Sequence, residues 1–182
     1  MASGSFFVGL LAGCIAAGLT GVLIEILAMR HLYHRDHLDQ VLATFGIILT
    51  ANEATKIVFG PQALFLNPPN WLMGTVNLLP ETPYPSYRLF VIAAGVAVAL
   101  LLRHIITHTR IGMLIRAGAT HREMVGALGV NIKLLFTAVF ALGAMLAGLA
   151  GGLAGPMLAI EVGMGEQILI LTFVVIIIGG IG

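Results

Sequence analysis

Charge is what this 182-residue sequence has least of: Asp, Glu, Lys and Arg together supply 9% of it. An ordinary soluble domain has about 25%. Hydrophobic residues reach 59%, which excludes a water-soluble globule and points to a chain dissolved in lipid. Cysteine is nearly missing too. Cys14 is the single thiol, so an internal disulfide is excluded and the redox compartment stays open. No basic residue precedes the first apolar run, and that run is too long for the core of a cleavable signal peptide. The pattern G-x-x-x-x-G-K-[ST] is also absent, so nucleotide hydrolysis is expected elsewhere and the chain is read as no enzyme. Finally, Gly60–Tyr87 contains no Lys or Arg at all.

What is present is a series of apolar runs. Phe6–Met29 has Glu25 as its only charge, and at about 1.5 Å per residue it exceeds a hydrocarbon core of roughly 30 Å. Val41–Phe59 comes second, with Asn52, Glu53 and Lys56 toward its end. Tyr84–Ile106 is long enough if Arg88 and Arg103 reach out to the two surfaces. Leu134–Leu153 has no charge. A fifth run begins near Ile168 and reaches the last residue, Gly182, after about 15 residues or roughly 22 Å. The expectation is an all-α polytopic helical bundle with about five transmembrane segments, forming a single membrane domain over 1–182 and incomplete at both ends. Gly60–Tyr87, with Pro61, Pro68, Pro69, Pro80, Pro83 and Pro85, reads as a loop of broken backbone anchored at the interface by Trp71, Tyr84 and Tyr87.

The basic residues give an orientation. Arg30 and Arg35 lie in the first connection, and Arg103, Arg110, Arg116, Arg122 and Lys133 in the third. The second connection has only Glu81, and the fourth has Glu161 and Glu166. This alternation is what five successive crossings require, with the basic loops cytoplasmic and Met1 outside.

Small residues recur at helical spacing in the fourth run, as Gly148 with Gly152 and Gly151 with Gly155. Such stripes let two backbones approach closely, or else line a path. Polar groups at membrane depth are costly and often functional. Glu25 lies about one turn from Arg30, and Glu53 sits at i,i+3 from Lys56, so each can be a satisfied pair. Asn52 and Glu53 are alternatively candidates for a translocation path. His31, His34 and His37 diverge around a helix and are not read as a metal site. His104 and His108, at i,i+4, read as interfacial residues.

The stretch 103–133 is too polar to span and too apolar for a solvated linker. Within it, Thr120 and Glu123 have capping-box spacing, Met124, Ala127 and Leu128 make an apolar face, and Gly129 is placed to end the helix in a left-handed cap. The expected helix, Thr120–Leu128, either lies on the lipid headgroups or fits a cleft on a partner protein.

In this stretch Ile115-Arg-Ala-Gly-Ala-Thr-His-Arg-Glu-Met-Val-Gly-Ala-Leu-Gly-Val-Asn131 resembles the permease subunits of bacterial ATP-binding-cassette importers for branched-chain amino acids. Ile24-Glu-Ile-Leu-Ala-Met-Arg30, Phe59-Gly60, Ala147-Gly-Leu-Ala-Gly-Gly152 and Ile178-Gly-Gly-Ile-Gly182 extend the resemblance in order. It implies a cytoplasmic coupling helix that docks on an ATPase subunit, with coupling roles for Arg116, Thr120, Arg122, Glu123 and Gly129. It further implies a second permease subunit, alike or related, and a periplasmic substrate-binding protein, in the bacterial inner (plasma) membrane. ATP would be bound by the partner ATPase, with no cofactor in this chain and no nucleic acid among its partners. The solute stays open among branched-chain amino acids, urea, short amides and other amino acids. The competing expectations are an ion-coupled secondary carrier and a passive channel subunit.

Overall fold

In the computed structural model the described residues are 2–32, 35–66, 69, 72–79 and 82–179, with side chains for all of these except 2–5, 37, 75–79, 82–83 and 122–123. Met1, His34, Pro68, Trp71, Pro80, Glu81 and 180–182, each named in the sequence readings above, lie outside the described residues.

Helix dominates because lipid leaves each backbone amide no partner outside its own segment. A continuous helical run comprises α1 (Ala2–Ile24), a π turn (Glu25–Met29) and the single turn α2 (Arg30–Leu32). Then come α3 (His37–Phe59), strands β1 (Thr75–Leu79) and β2 (Thr82–Pro85), and α4 (Ser86–His108). The order closes with α5 (Arg110–Thr120), α6 (Arg122–Ala127), α7 (Ile132–Ala154) and α8 (Met164–Gly179). Among the described residues four stretches, Phe6–Leu32, Leu38–Phe59, Ser86–His108 and Ile132–Ala154, are long and apolar enough to cross a membrane. At 16 residues α8 is shorter, so four full spans and a shorter fifth helix stand where five segments are expected. The chain is an all-α, multi-pass membrane protein.

The Pro-rich connection is more ordered than a broken loop. β1 and β2 pair antiparallel, from Thr75 opposite Pro85 to Leu79 opposite Thr82, with an irregularity between Asn77 and Leu79. Proline is tolerated there because a two-stranded ribbon has only edge strands.

The chain divides into two units, 1–31 with 68–154 and 32–67 with 155–182. In the first, α1 and α7 pack antiparallel at close range. A Cβ placed on Gly148 would stand 2.5 Å from the Ala17 Cβ, and one on Gly152 would stand 2.6 Å from Leu10 Cδ1. Glycine at 148 is therefore what admits the α1 backbone, while Gly152 makes room for the Leu10 side chain, and dispersion supplies the association that lipid does not. Gly18 meets Met145 and Gly21 meets Ala144 further along the same seam. One end of the unit is tied by Tyr87, 5% exposed, whose hydroxyl donates to the Leu153 carbonyl at 2.7 Å. In the second unit Leu64 and Ile160 exchange two backbone bonds of 2.9 Å. Gly155 belongs here, where a Cβ would approach Ile160 and Leu66. Along 38–59 no residue is buried, as suits a helix whose sides face lipid or another subunit.

Candidate functional site

The basic segment between α4 and α7 is built from two helices. Thr109 caps α5: its hydroxyl accepts from the Gly112 amide at 3.1 Å. The corner is tight, since a Cβ on Gly112 would run into the Ile105 and Ile106 carbonyls. α5 then lays its buried Gly112 and Gly118 toward the spans, with Gly118 against Leu135 of α7. Its opposite side leaves Arg110 and Arg116 exposed.

The expected helix from Thr120 to Leu128 needs correcting at its start. Thr120 is the last residue of α5, and its hydroxyl donates back to the Arg116 carbonyl at 3.0 Å instead of capping. The break falls at His121 (φ −139, ψ 85), and α6 starts at Arg122. A threonine bonded to its own preceding turn is satisfied within the helix, so the capping box has no free hydroxyl to use. Arg122 and Glu123 open α6, and their side chains lie outside the described residues. Val125 is buried, whereas Met124 and Leu128 are 65% and 79% exposed.

The end of α6 matches the sequence pattern closely. Gly129 has φ +82, its amide bonds to the Gly126 carbonyl at 3.0 Å, and the Val130 amide reaches the Val125 carbonyl at 3.4 Å. This is a Schellman stop, which needs a residue free to enter the left-handed region. Two residues later Asn131 Oδ1 accepts from the Leu134 amide at 3.2 Å and starts α7. Leu-Gly-Val-Asn is thus a stop and a restart written back to back. The product is a basic, partly apolar knob joined to a membrane span with almost no slack.

The polar residues of α3 are placed differently. Glu53 pairs with Lys56 at 2.6 Å at an exposed position. Asn52 instead donates to Glu166 Oε1 of α8 at 2.5 Å. Below that bond, between α3 and α8, lies a groove of about 540 Å³ lined by Val41, Thr44, Phe45, Ile48, Leu169, Phe173 and their neighbours. From sequence alone Glu166 reads only as a loop charge. Its position in the first turn of α8 is the one signal that it belongs to a helix face. Gly148 and Gly152 stand on the α1 seam; Gly151 has nothing within 4 Å of where a Cβ would be.

A buried ionic group lies within the first unit. Glu25 is 1% exposed. Its Oε2 accepts from the Thr137 hydroxyl of α7 at 2.6 Å and stands 3.7 Å from Arg30 Nη2. An α-helix would set residues five apart about 140° around the axis. The π turn stacks them instead, with the Arg30 amide bonded to the Glu25 carbonyl. Among the described residues no group of three His, Cys, Asp or Glu is placed to hold a metal ion. His104 and His108 stack at 5.1 Å on one face of α4.

Against known proteins, the family model described as the permease component of branched-chain amino acid transport systems matches residues 1–182. No curated protein and no solved structure matches the chain.

Proposed function

Because the chain belongs to the permease family of branched-chain amino acid transport systems, we propose that it is the membrane-spanning subunit of an ATP-driven importer, moved by an ATPase that docks on α5 and α6. The observation that carries this reading is the knob itself. A segment with Arg110 and Arg116 exposed, Met124 and Leu128 presented beside them, and a Schellman stop leading straight into α7 suits a partner cleft better than water. Arg116, Thr120, Arg122, Glu123 and Gly129 are the coupling residues on this reading, and 103–133 is the coupling segment. The membrane is the bacterial inner membrane with the basic side cytoplasmic. A second permease subunit, alike or related, completes the path, and a periplasmic binding protein delivers solute to the outer connections.

Asn52 and Glu53 are assigned to the translocation path, with Glu166 added. A carboxylate at the outer end of an apolar groove is complementary to an ammonium group followed by a branched alkyl chain, the chemistry of the family's solutes. ATP closure of the ATPase pair then acts as a bias on one end of a two-state membrane element.

The test is association. Gly129→Ala forces a Cβ into a left-handed position, at a cost of roughly 1–2 kcal/mol, and should weaken co-purification of the ATPase in detergent. Arg116→Glu should do so without touching the helix stop. Unchanged co-purification in both variants would count against the docking surface.

A further inference from the structure

The ionic group formed by Glu25, Arg30 and Thr137 takes no part in the docking surface or the groove. Burying a carboxylate carries a large desolvation penalty, and a pair kept at that cost is better explained by a switching or registry role than by stability. Its bonding here is incomplete. Arg30 Nη2 is 3.7 Å from Glu25 Oε2, about 1 Å beyond a charge-assisted hydrogen bond. The Thr137 hydroxyl fills the gap: it accepts from Arg30 Nη2 at 3.3 Å and is placed to donate to Glu25 Oε2 at 2.6 Å. Meanwhile Glu25 Oε1 and Arg30 Nε are buried with no hydrogen-bond partner among the described residues. One is an acceptor and the other a donor. They are the atoms that a side-on guanidinium–carboxylate fork would add to the Nη2–Oε2 pair already facing.

Thr137 has a second place to turn. Its hydroxyl also stands 2.9 Å from the Lys133 carbonyl, one turn back in α7. A single O–H donates strongly to one acceptor at a time. Two complete arrangements therefore exist. In one, Thr137 bridges α1 and α7, as seen here. In the other, Arg30 forks onto Glu25 within the α1 run and Thr137 bonds within α7, so that each helix is satisfied alone. Thr137 lies in the second turn of α7, which starts at the Gly129–Asn131 stop and restart.

We propose that Glu25, Arg30 and Thr137 are positioning residues that form a two-position latch between α1 and α7, engaged through Thr137 and released when Arg30 closes onto Glu25. Resting on the importer reading, the latch makes α1 follow, or part from, the helix that α6 moves. The experiment uses the complete importer, reconstituted in liposomes with its ATPase and binding protein, and reads labelled leucine taken up per ATP hydrolysed. Thr137→Val removes the bridge; Arg30→Lys keeps the charge and removes the fork. Both should retain ATPase association and hydrolysis within about twofold, while uptake per ATP falls by about fivefold or more. Thr137→Ser, which restores the hydroxyl, should return the ratio to within about twofold of the parent. A parental ratio in both Thr137→Val and Arg30→Lys overturns the latch. So does a Thr137→Ser variant as impaired as Thr137→Val, since that marks packing. If the unsubstituted protein shows neither ATPase association nor ATP-dependent uptake, the importer reading falls first and the latch with it.

Discussion

The helix pairs α1–α7 and α3–α8 are both antiparallel and both strongly apolar, yet they are held by opposite means. In α1–α7, glycine brings backbones together: Gly148 admits Ala17 so closely that a β-carbon would force a shift, and Gly152 makes room for the Leu10 side chain. A buried ionic group then fixes the seam near its basic end. In α3–α8 bulky side chains line a groove of about 540 Å³ instead, and the polar tie is the exposed Asn52–Glu166 bond at one end. The lesson is about side-chain size. Where lipid competes equally with protein for apolar surface, small residues make contact and large ones keep a separation. A seam and a groove are thus written in the same apolar alphabet.

The contrast breaks most readily at the seam. Gly148→Leu should cost about 3 kcal/mol or more through overpacking, read as a fall in thermal midpoint in detergent. Gly151→Leu, less than one turn away, should move the midpoint by less than about 0.5 kcal/mol, because nothing lies within 4 Å of its Cβ position. Equal losses would remove the distinction between the two faces of α7. Next in size is Tyr87→Phe, which leaves the buried Leu153 carbonyl without its 2.7 Å bond and should cost about 1–2 kcal/mol. The groove should respond least in stability and most in transport. Glu166→Gln keeps a hydrogen bond to Asn52 while deleting the charge, so the midpoint should shift by less than about 0.5 kcal/mol. Uptake of a branched-chain amino acid by the full importer should nevertheless drop about tenfold if Glu166 receives the ammonium group. A variant that transports normally would reduce the groove to a simple gap between helices.

How much of this can be read from the residues depends on how local the cause is. The Glu53–Lys56 pair and the Gly129 stop arise from interactions within about five positions and appear where the pattern puts them, and the four long spans begin and end within a turn of the expected residues. The helix break at His121 does not, because Thr120 has two local bonding choices and the sequence pattern favours the cap over the back-bond actually made. Asn52 stands out in the sequence as an unusual polar residue, but its partner Glu166 is 114 positions away, beyond any periodicity. The Glu25–Arg30 pairing is legible as a neighbour pair, while the Thr137 bridge that completes it comes from 112 positions along the chain. Helix period sees one element at a time, and these contacts belong to two.

The π turn at Glu25–Met29 has a consequence for how such a chain can change over generations. A π turn is an α-helix carrying one residue more than its ladder needs. Deleting one residue of Ile26–Met29 would restore the regular ladder with α1 and α2 in nearly their present relation, whereas winding all five residues of the turn as α-helix would swing α1 by about 100°. In that second case Gly18 and Gly21 would leave Met145 and Ala144 on the α7 seam together. The loss of one residue is thus absorbed by the ladder, whereas Glu25, itself part of the turn, is held to a carboxylate by the Arg30 and Thr137 side chains that face it.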